Sequence, residues 1–94
     1  MPFVIKEERA EYWQEGTLLA EVTFPPLRPG VVNIDHVFVD PALRGKGVAG
    51  QLLEQVCAAL RTTGRRAVVT CSYARRWFGQ HAEARDVLTA GRKG

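Results

Sequence analysis

The reading of this chain turns on Val39-Asp40-Pro41-Ala42-Leu43-Arg44-Gly45-Lys46-Gly47-Val48-Ala49-Gly50. Before it, Val31 to Val39 is β-branched and apolar on both faces, as expected of a central strand that Asp40-Pro41 ends. After it the period becomes helical. Val48, Leu52, Leu53, Val56 and Leu60 form one apolar stripe, Gln51, Glu54, Gln55 and Arg61 face out, and Gly64 stops the helix. A turn at the start of such a helix presents free backbone N–H groups at the positive end of the dipole, which suits an anion. Three glycines in the six residues from Gly45 to Gly50 let a phosphate approach the backbone, and Arg44 and Lys46 add charge. A turn that merely needs glycine to join strand and helix is the plainer alternative.

Two common phosphate motifs are excluded by context. Gly45 and Gly50 have the outer spacing of a P-loop, but Gln51-Leu52 stands where Lys and Ser/Thr are required, which argues against an ATPase or GTPase. Gly45, Gly47 and Gly50 also satisfy G-x-G-x-x-G. A dinucleotide site needs that first glycine close behind its strand and an acid about 20 residues on, at the end of the next strand. Here Asp40 to Arg44 intervene and the next strand ends in Thr70-Cys71, so the nicotinamide reading fails.

Outward from the turn, Phe3 to Glu8 reads as a short first strand, which Arg9 to Gln14 extends or turns, and Glu15-Gly16 as a turn. Thr17 to Phe24 alternates, with Leu18, Ala20, Val22 and Phe24 on one face and Thr17, Glu21 and Thr23 on the other. Pro25 to Gly30 reads as a loop, because proline cannot donate to a ladder. Beyond the helix, Ala67 to Cys71 reads as a second buried strand, and Ser72 is placed to cap a helix from Tyr73 to about Gln80. Glu83 to Leu88 reads as a further helical turn and residues 89–94 as a frayed tail. The order predicts an α+β fold. Its sheet is mixed but mostly antiparallel, with a strand–helix–strand crossover from Val31 to Cys71 and a C-terminal helix.

At 94 residues the chain is read as a single domain, residues 1–94. No apolar run approaches the ~18 residues of a membrane span. Residues 1–8 turn acidic without the apolar core of a signal peptide, so the expected location is cytoplasmic. The net charge of +3 conceals an asymmetry: residues 1–40 hold three basic and seven acidic side chains, residues 41–94 ten and three. A basic half suits nucleic acid or a phosphate-bearing cofactor. Aromatics do not alternate with the basic residues as a base-stacking platform requires, which sets nucleic acid aside. Cys57, Cys71, His36 and His81 offer no metal-ligand clip, and no metal is expected.

The pattern Arg-x-x-Gly-x-Ala, present here as Arg44-Gly45-Lys46-Gly47-Val48-Ala49, resembles the acetyl-CoA pyrophosphate loop of the GCN5-related N-acetyltransferases (GNAT). His36, Val39, Pro41 and Leu43, with Cys71-Ser72-Tyr73-Ala74 and His81, further resemble a very small acetyltransferase-like subfamily typified by bacterial YjdJ-type proteins, from about residue 16 to residue 88. Val37 stands where that subfamily has threonine and Ala82 where it has proline. The resemblance implies a minimal GNAT fold and an acetyl-CoA-dependent N-acetyltransferase, acetyl-CoA being cosubstrate and the amine acceptor unidentified. It implies that the main chain of Val37, Phe38 and Val39 holds the pantetheine arm as an extra strand. The backbone from Arg44 through Gly45, Lys46, Gly47, Val48 and Ala49 to Gly50 would hold the pyrophosphate. The N-terminal helical segment of larger relatives is missing, so the acceptor pocket would be shallow, open to a large acceptor, or completed by a second subunit in a homodimer.

Acetylation of an amine needs a neutral amine, a polarised thioester and a proton for the leaving thiolate. His36 could take the amine proton, or be a strand histidine bonded to backbone. Cys71, beside a helix N-terminus where thiolate is favoured, could accept the acyl group or touch the CoA sulfur, or be a small buried hydrophobe. Direct transfer is the commoner route in the family. Tyr73 could protonate the thiolate, as a tyrosine does in many relatives, or serve the core. Arg75 and Arg76, in the first turn of that helix, either attract an anionic ligand or are merely solvated, and Trp13, Trp77 and Phe78 read as packing. A rival function is a non-catalytic acyl-CoA-binding module.

Overall fold

The single strand expected over residues 31–39 is two strands in two different sheets. The computed structural model, which describes residues 2–89, contains β1 (Phe3–Ile5), β2 (Arg9–Gln14), β3 (Thr17–Thr23), β4 (Pro26–Arg28), β5 (Val31–Ile34), β6 (His36–Val39), α1 (Val48–Thr63), β7 (Arg66–Val69) and α2 (Ser72–Gln80). Short 3-10 turns occupy Pro41–Leu43 and Ala82–Val87. Of the tail expected over residues 89–94, all but Thr89 lies outside the described residues.

One sheet runs β1-β2-β3-β6, antiparallel throughout. The other runs β4-β5-β7, with β5 and β7 parallel across α1, which is the expected crossover. The break lies at Asp35. Thr23 pairs with His36, yet the Asp35 N–H also donates to the Thr23 carbonyl at 3.2 Å, and the Thr23 hydroxyl donates to the Asp35 carboxylate. Two residues against one is a β-bulge, which bends its strand and re-aims the side chains beyond it. Val32 and Ile34 are buried before the bulge and Val37 and Val39 half-buried after it, so the inward phase slips by one residue.

On the other side of β5 the pairing stops at the same level. β7 ends at Val69, and the amides of Thr70 and Cys71 both reach back to the Ile34 carbonyl, at 3.1 and 3.3 Å. β6 therefore keeps β3 on one edge and, among the described residues, has no strand on the other.

Three boundaries differ from the sequence reading. β1 stops at Ile5 because the Lys6 amide turns back to the Arg9 carbonyl at 2.7 Å, and Arg9–Gln14 is a strand in its own right. Pro26–Arg28, read as loop, is a three-residue edge strand, a place where a proline without an N–H is tolerated. The cap of α2 is Cys71 rather than Ser72, with the first helical bond running from the Arg75 amide to the Cys71 carbonyl at 2.9 Å.

α1 lies across β2 and β3 and buries Leu52, Leu53, Val56 and Leu60 with Ala20, Val22, Phe24, Val32 and Ile34. Each large aliphatic side chain contributes about 1.5–3 kcal/mol by burial. Cys57 sits in the same stripe, and burial pushes its thiol up to about 11, which leaves a neutral apolar side chain. α2 adds Ala74, Trp77 and Phe78 to the core. Among the described residues no helix is long and apolar enough to cross a membrane.

The sheet face turned away from α1 carries the cross-strand row Val4, Glu11, Glu21 and Phe38. Glu11 is only 4% exposed. Its carboxylate accepts from Trp13 Nε1 at 2.9 Å, has Arg9 Nε at 3.0 Å and Lys6 Nζ at 3.4 Å, and Arg9 also pairs with Glu21. The Trp13 hydrogen bond, helped by Lys6 and Arg9, holds the Glu11 carboxyl below the usual carboxylate range against the opposing effect of burial. A lowered folded-state value stabilises the fold above the unfolded pKa, about 4.3, and that stability is lost as pH falls through the lowered value. Denaturant melts should therefore show Glu11→Gln less stable than the parent near neutral pH, with the gap closing as pH falls below about 4. A gap that does not change with pH would contradict an ionised, paired Glu11.

Candidate active site

The open edge of β6 and the turn that follows it enclose one cavity of about 390 Å³. Val37, Val39 and Leu43 form one wall, the turn from Arg44 through Gly45 and Gly47 to Ala49 the base, and Tyr73 of α2 the mouth. The backbone of β6 supplies hydrogen-bonding groups to that wall. The Asp40 N–H donates to the Leu19 carbonyl at 2.7 Å, and antiparallel alternation from this pair turns the N–H and C=O of Val39 and Val37 to the open edge. The same alternation turns the main chain of Phe38 inward to Glu21. Of the three β6 residues expected to hold a ligand by main chain, Val37 and Val39 turn their main-chain groups to the open edge and Phe38 turns its own to β3.

The turn is built to leave amides open. The Asp40 side chain accepts from the Ala42 amide at 2.9 Å and fixes the 3-10 turn, with Pro41 at its first position. The Lys46 amide is used on the Leu43 carbonyl at 3.1 Å. Gly45 and Gly47 then adopt φ of +80° and +78°, a conformation that costs an L-residue about 1–2 kcal/mol. Gly47 is the N-cap of α1 and has no side chain to occupy the helix amides, as Ser or Asp would. Among the described residues the N–H groups of Gly45, Gly47, Val48, Ala49 and Gly50 have no backbone acceptor. They form a cradle at the positive end of a helix of 16 residues, with no acid in its first turn.

Gly50 has a different purpose. A Cβ there would lie 3.1 Å from Trp77 Nε1, so the absence of a side chain lets the α2 indole pack onto α1. Trp77 in turn stacks on His81 at 4.2 Å between ring centroids, and His81 Nδ1 lies 2.8 Å from the Trp77 carbonyl. His81 is thus a support for α2.

The sequence-derived candidates divide between two sides of the sheet. Val37, Val39, Arg44, Gly45, Gly47, Val48, Ala49 and Tyr73 share the cavity. Tyr73 is 44% exposed at its mouth. Cys71, half-buried against the core, caps α2 at the level where β7 leaves β5. His36 lies on the opposite face, its Nε2 3.9 Å from a Glu21 carboxylate oxygen. Leu43 and the Trp77–Gly50 contact were missed by the sequence reading. Leu43 had a signal, being the one large apolar side chain between Pro41 and Gly47. Trp77 had none, since the sequence does not say which helix its face meets.

The open strand edge and the glycine-capped helix start both lie within the stretch that a family model matches. The model of the GCN5-related N-acetyl-transferase family matches residues 7–87. The chain belongs to that GNAT family. The solution structure of a GCN5-like protein from Staphylococcus aureus matches at 27% identity and a TM-score of 0.76, over 93% of this chain and 86% of that one. A GNAT family acetyltransferase from Brucella melitensis, in complex with acetyl-CoA, matches at 28% identity and 0.61, over 73% of this chain and 50% of that one. YncA from Salmonella typhimurium, solved with acetyl-CoA, shares the fold at 20% identity and 0.64, over 78% of this chain and 47% of that one. This GNAT chain spans about half the length of the latter two. No curated protein matches it.

The two kinds of glycine make opposite predictions in this GNAT domain. Gly47→Ala places a side chain at φ +78° with open space around it, so its cost is purely conformational. Gly79, inside α2 with nothing within 4 Å of a built Cβ, gains helix propensity when changed to Ala. Since 1 kcal/mol shifts Tm by about 4–8 °C in a domain this size, Gly47→Ala should melt several degrees below the parent and Gly79→Ala several above. Equal shifts in one direction would contradict the backbone assignment at Gly47.

Proposed function

We propose that the protein binds acetyl-CoA along the open edge of β6 and transfers the acetyl group to an amine. The observation that carries this reading is the continuity of the site. Free edge groups on Val37 and Val39 line the same cavity as Gly45, Gly47, Val48 and Ala49, whose amides, like that of Gly50, have no backbone acceptor among the described residues. A pantetheine arm carries amides that pair like a strand, and its pyrophosphate is the anion that the helix start attracts. Arg44 and Lys46 flank that cradle with positive charge. The resident acetyl-CoA of the Brucella and Salmonella relatives supports the same ligand here. Among the described residues no three His, Cys, Asp or Glu side chains gather as a metal site would require.

In the transfer the amine nitrogen attacks the thioester carbonyl, the carbon–sulfur bond breaks, and the CoA thiolate takes up a proton as the nitrogen gives one up. Tyr73 at the cavity mouth is the donor to the thiolate. His36, on the opposite face of the sheet beside the bulge, would be the acceptor of the amine proton. Cys71, at the level where β7 leaves β5, would lie beside the sulfur of a bound CoA, with transfer to the amine direct. The segment Cys71-Ser72-Tyr73-Ala74 with His36 and His81 supports narrower kinship with the very small YjdJ-type proteins.

A second reading, a binding module without catalysis, is favoured by one observation: His36 does not line the cavity. Thermal melting with acetyl-CoA, against ATP and NADPH, tests the cofactor. A ligand at 100 times its Kd stabilises by about 2.7 kcal/mol, on the order of 10 °C here. Equal shifts with all three ligands would mean a generic anion patch. For chemistry, Tyr73→Phe should keep the acetyl-CoA shift and lose at least about tenfold in kcat. Unchanged turnover would remove Tyr73 from the mechanism, and binding without turnover of any amine would establish the second reading.

A further inference from the structure

The bulge that opens the cofactor edge also builds a polar patch on the opposite face of the sheet. In an unbroken strand Asp35 and His36 would point to opposite faces; here both are exposed and both meet Thr23. The register adds Glu21 and Phe38, which are directly paired across β3 and β6 on the same face. The patch therefore holds an imidazole, two carboxylates, the Arg9 guanidinium on Glu21 and an aromatic ring that is 38% exposed. The carboxylates differ in partner. Glu21 is paired to Arg9, whereas Asp35 accepts only from the neutral Thr23 hydroxyl and has no cationic partner among the described residues. Across the gap, the Thr70 hydroxyl donates to Asn33 Oδ1 at 3.0 Å, and the guanidinium of Arg75 is engaged with the Val69 carbonyl at 3.1 Å.

We propose that this patch is the acceptor site, and that Asp35 selects a primary amine carried on an apolar stem without a neighbouring carboxylate: a lysine side chain or an alkyl diamine. This rests on the acetyltransferase reading above. The incoming ammonium meets the unpaired Asp35 carboxylate beside His36, the group that takes its proton. The methylene stem lies on Phe38, whose ring faces the same way two residues along β6. A carboxylate near the amine, as in a free amino acid, would meet the unpaired Asp35 with like charge, Glu21 being neutralised by Arg9, and selection by repulsion at Asp35 follows. Asp35 is thus a specificity-determining residue that acts on binding, while the bond changes at the thioester are those already described.

The test compares acceptors with the full chain and acetyl-CoA. 1,5-Diaminopentane and Nα-acetyl-lysine amide are set against 6-aminohexanoate and glycine, in the parent and in Asp35→Asn, which preserves an acceptor for Thr23. The expected parent kcat/KM favours the carboxylate-free amines by about tenfold or more. Asp35→Asn should erase most of that ratio, chiefly through KM. Carboxylate-bearing acceptors used equally well by the parent, or a ratio unchanged in Asp35→Asn, would overturn the proposal. Melting with acetyl-CoA on the same two proteins separates the failures. A retained shift with no amine acetylated overturns the acceptor site alone, and no shift in the parent overturns the acetyltransferase reading beneath it.

Discussion

The rest of the site depends on Thr23 meeting two residues of the next strand where a regular ladder would give it one. The Asp35 amide and the His36 pairing share its carbonyl side, and the chain is thereby handed from the β4-β5-β7 sheet to the β1-β2-β3-β6 sheet. Because β7 stops at Val69, no strand among the described residues replaces it beside β6. A strand edge left open would ordinarily invite association with another chain. Here the edge is only four residues long and turns at once into a helix start, so the exposed groups form a short bounded site.

The same economy governs the glycines. Gly45 and Gly47 hold left-handed backbone that costs stability, and Gly47 forgoes the side-chain cap that would have stabilised α1. The amides this leaves uncommitted offset the loss only when an anion occupies them. Stability is recovered elsewhere, in the aliphatic stripe of α1 and in the Trp77 indole laid over Gly50. The C-terminal end of the helix is tied to the last turn by the Arg61–Asp86 pair, whose Nε and guanidinium contacts are 2.8 and 2.7 Å. That pair holds the Asp86 carboxyl below its usual range but is exposed, so packing carries the larger share.

The element order and the glycine-capped helix start with its uncommitted amides were legible from local pattern. The apolar stripe of α1 has a helical period, and glycines beside cations at a helix start have a local physical meaning. The crossover was legible too, because a helix-length connection between two buried strands is what parallel pairing requires. The bulge was missed, although its signal is present in Val31-Val32-Asn33-Ile34-Asp35-His36-Val37-Phe38-Val39. Val32 and Ile34 keep one phase and Val37 and Val39 the other, with the slip at Asp35-His36. Reading the run as apolar on both faces hid that slip, and with it the fact that His36 and the cavity lie on opposite faces. The cap of α2 was misplaced by one residue because Ser72 has cap chemistry, while the turn of the chain at Ile34 makes Cys71 the cap. No local pattern could supply the Trp77–Gly50 contact, which exists only once both helices are docked.

The account's central claim is that one ligand spans the open edge of β6 and the start of α1. The most direct measurement is amide chemical-shift mapping of the isotopically labelled chain during titration with acetyl-CoA. The account predicts that the largest changes fall on Val37, Val39, Gly45 and Gly47 to Gly50, with both groups responding along one binding curve. Changes confined to Arg28, Arg65 and Arg66 at the far end of the β4-β5-β7 sheet, or a helix start that responds while β6 does not, would contradict it.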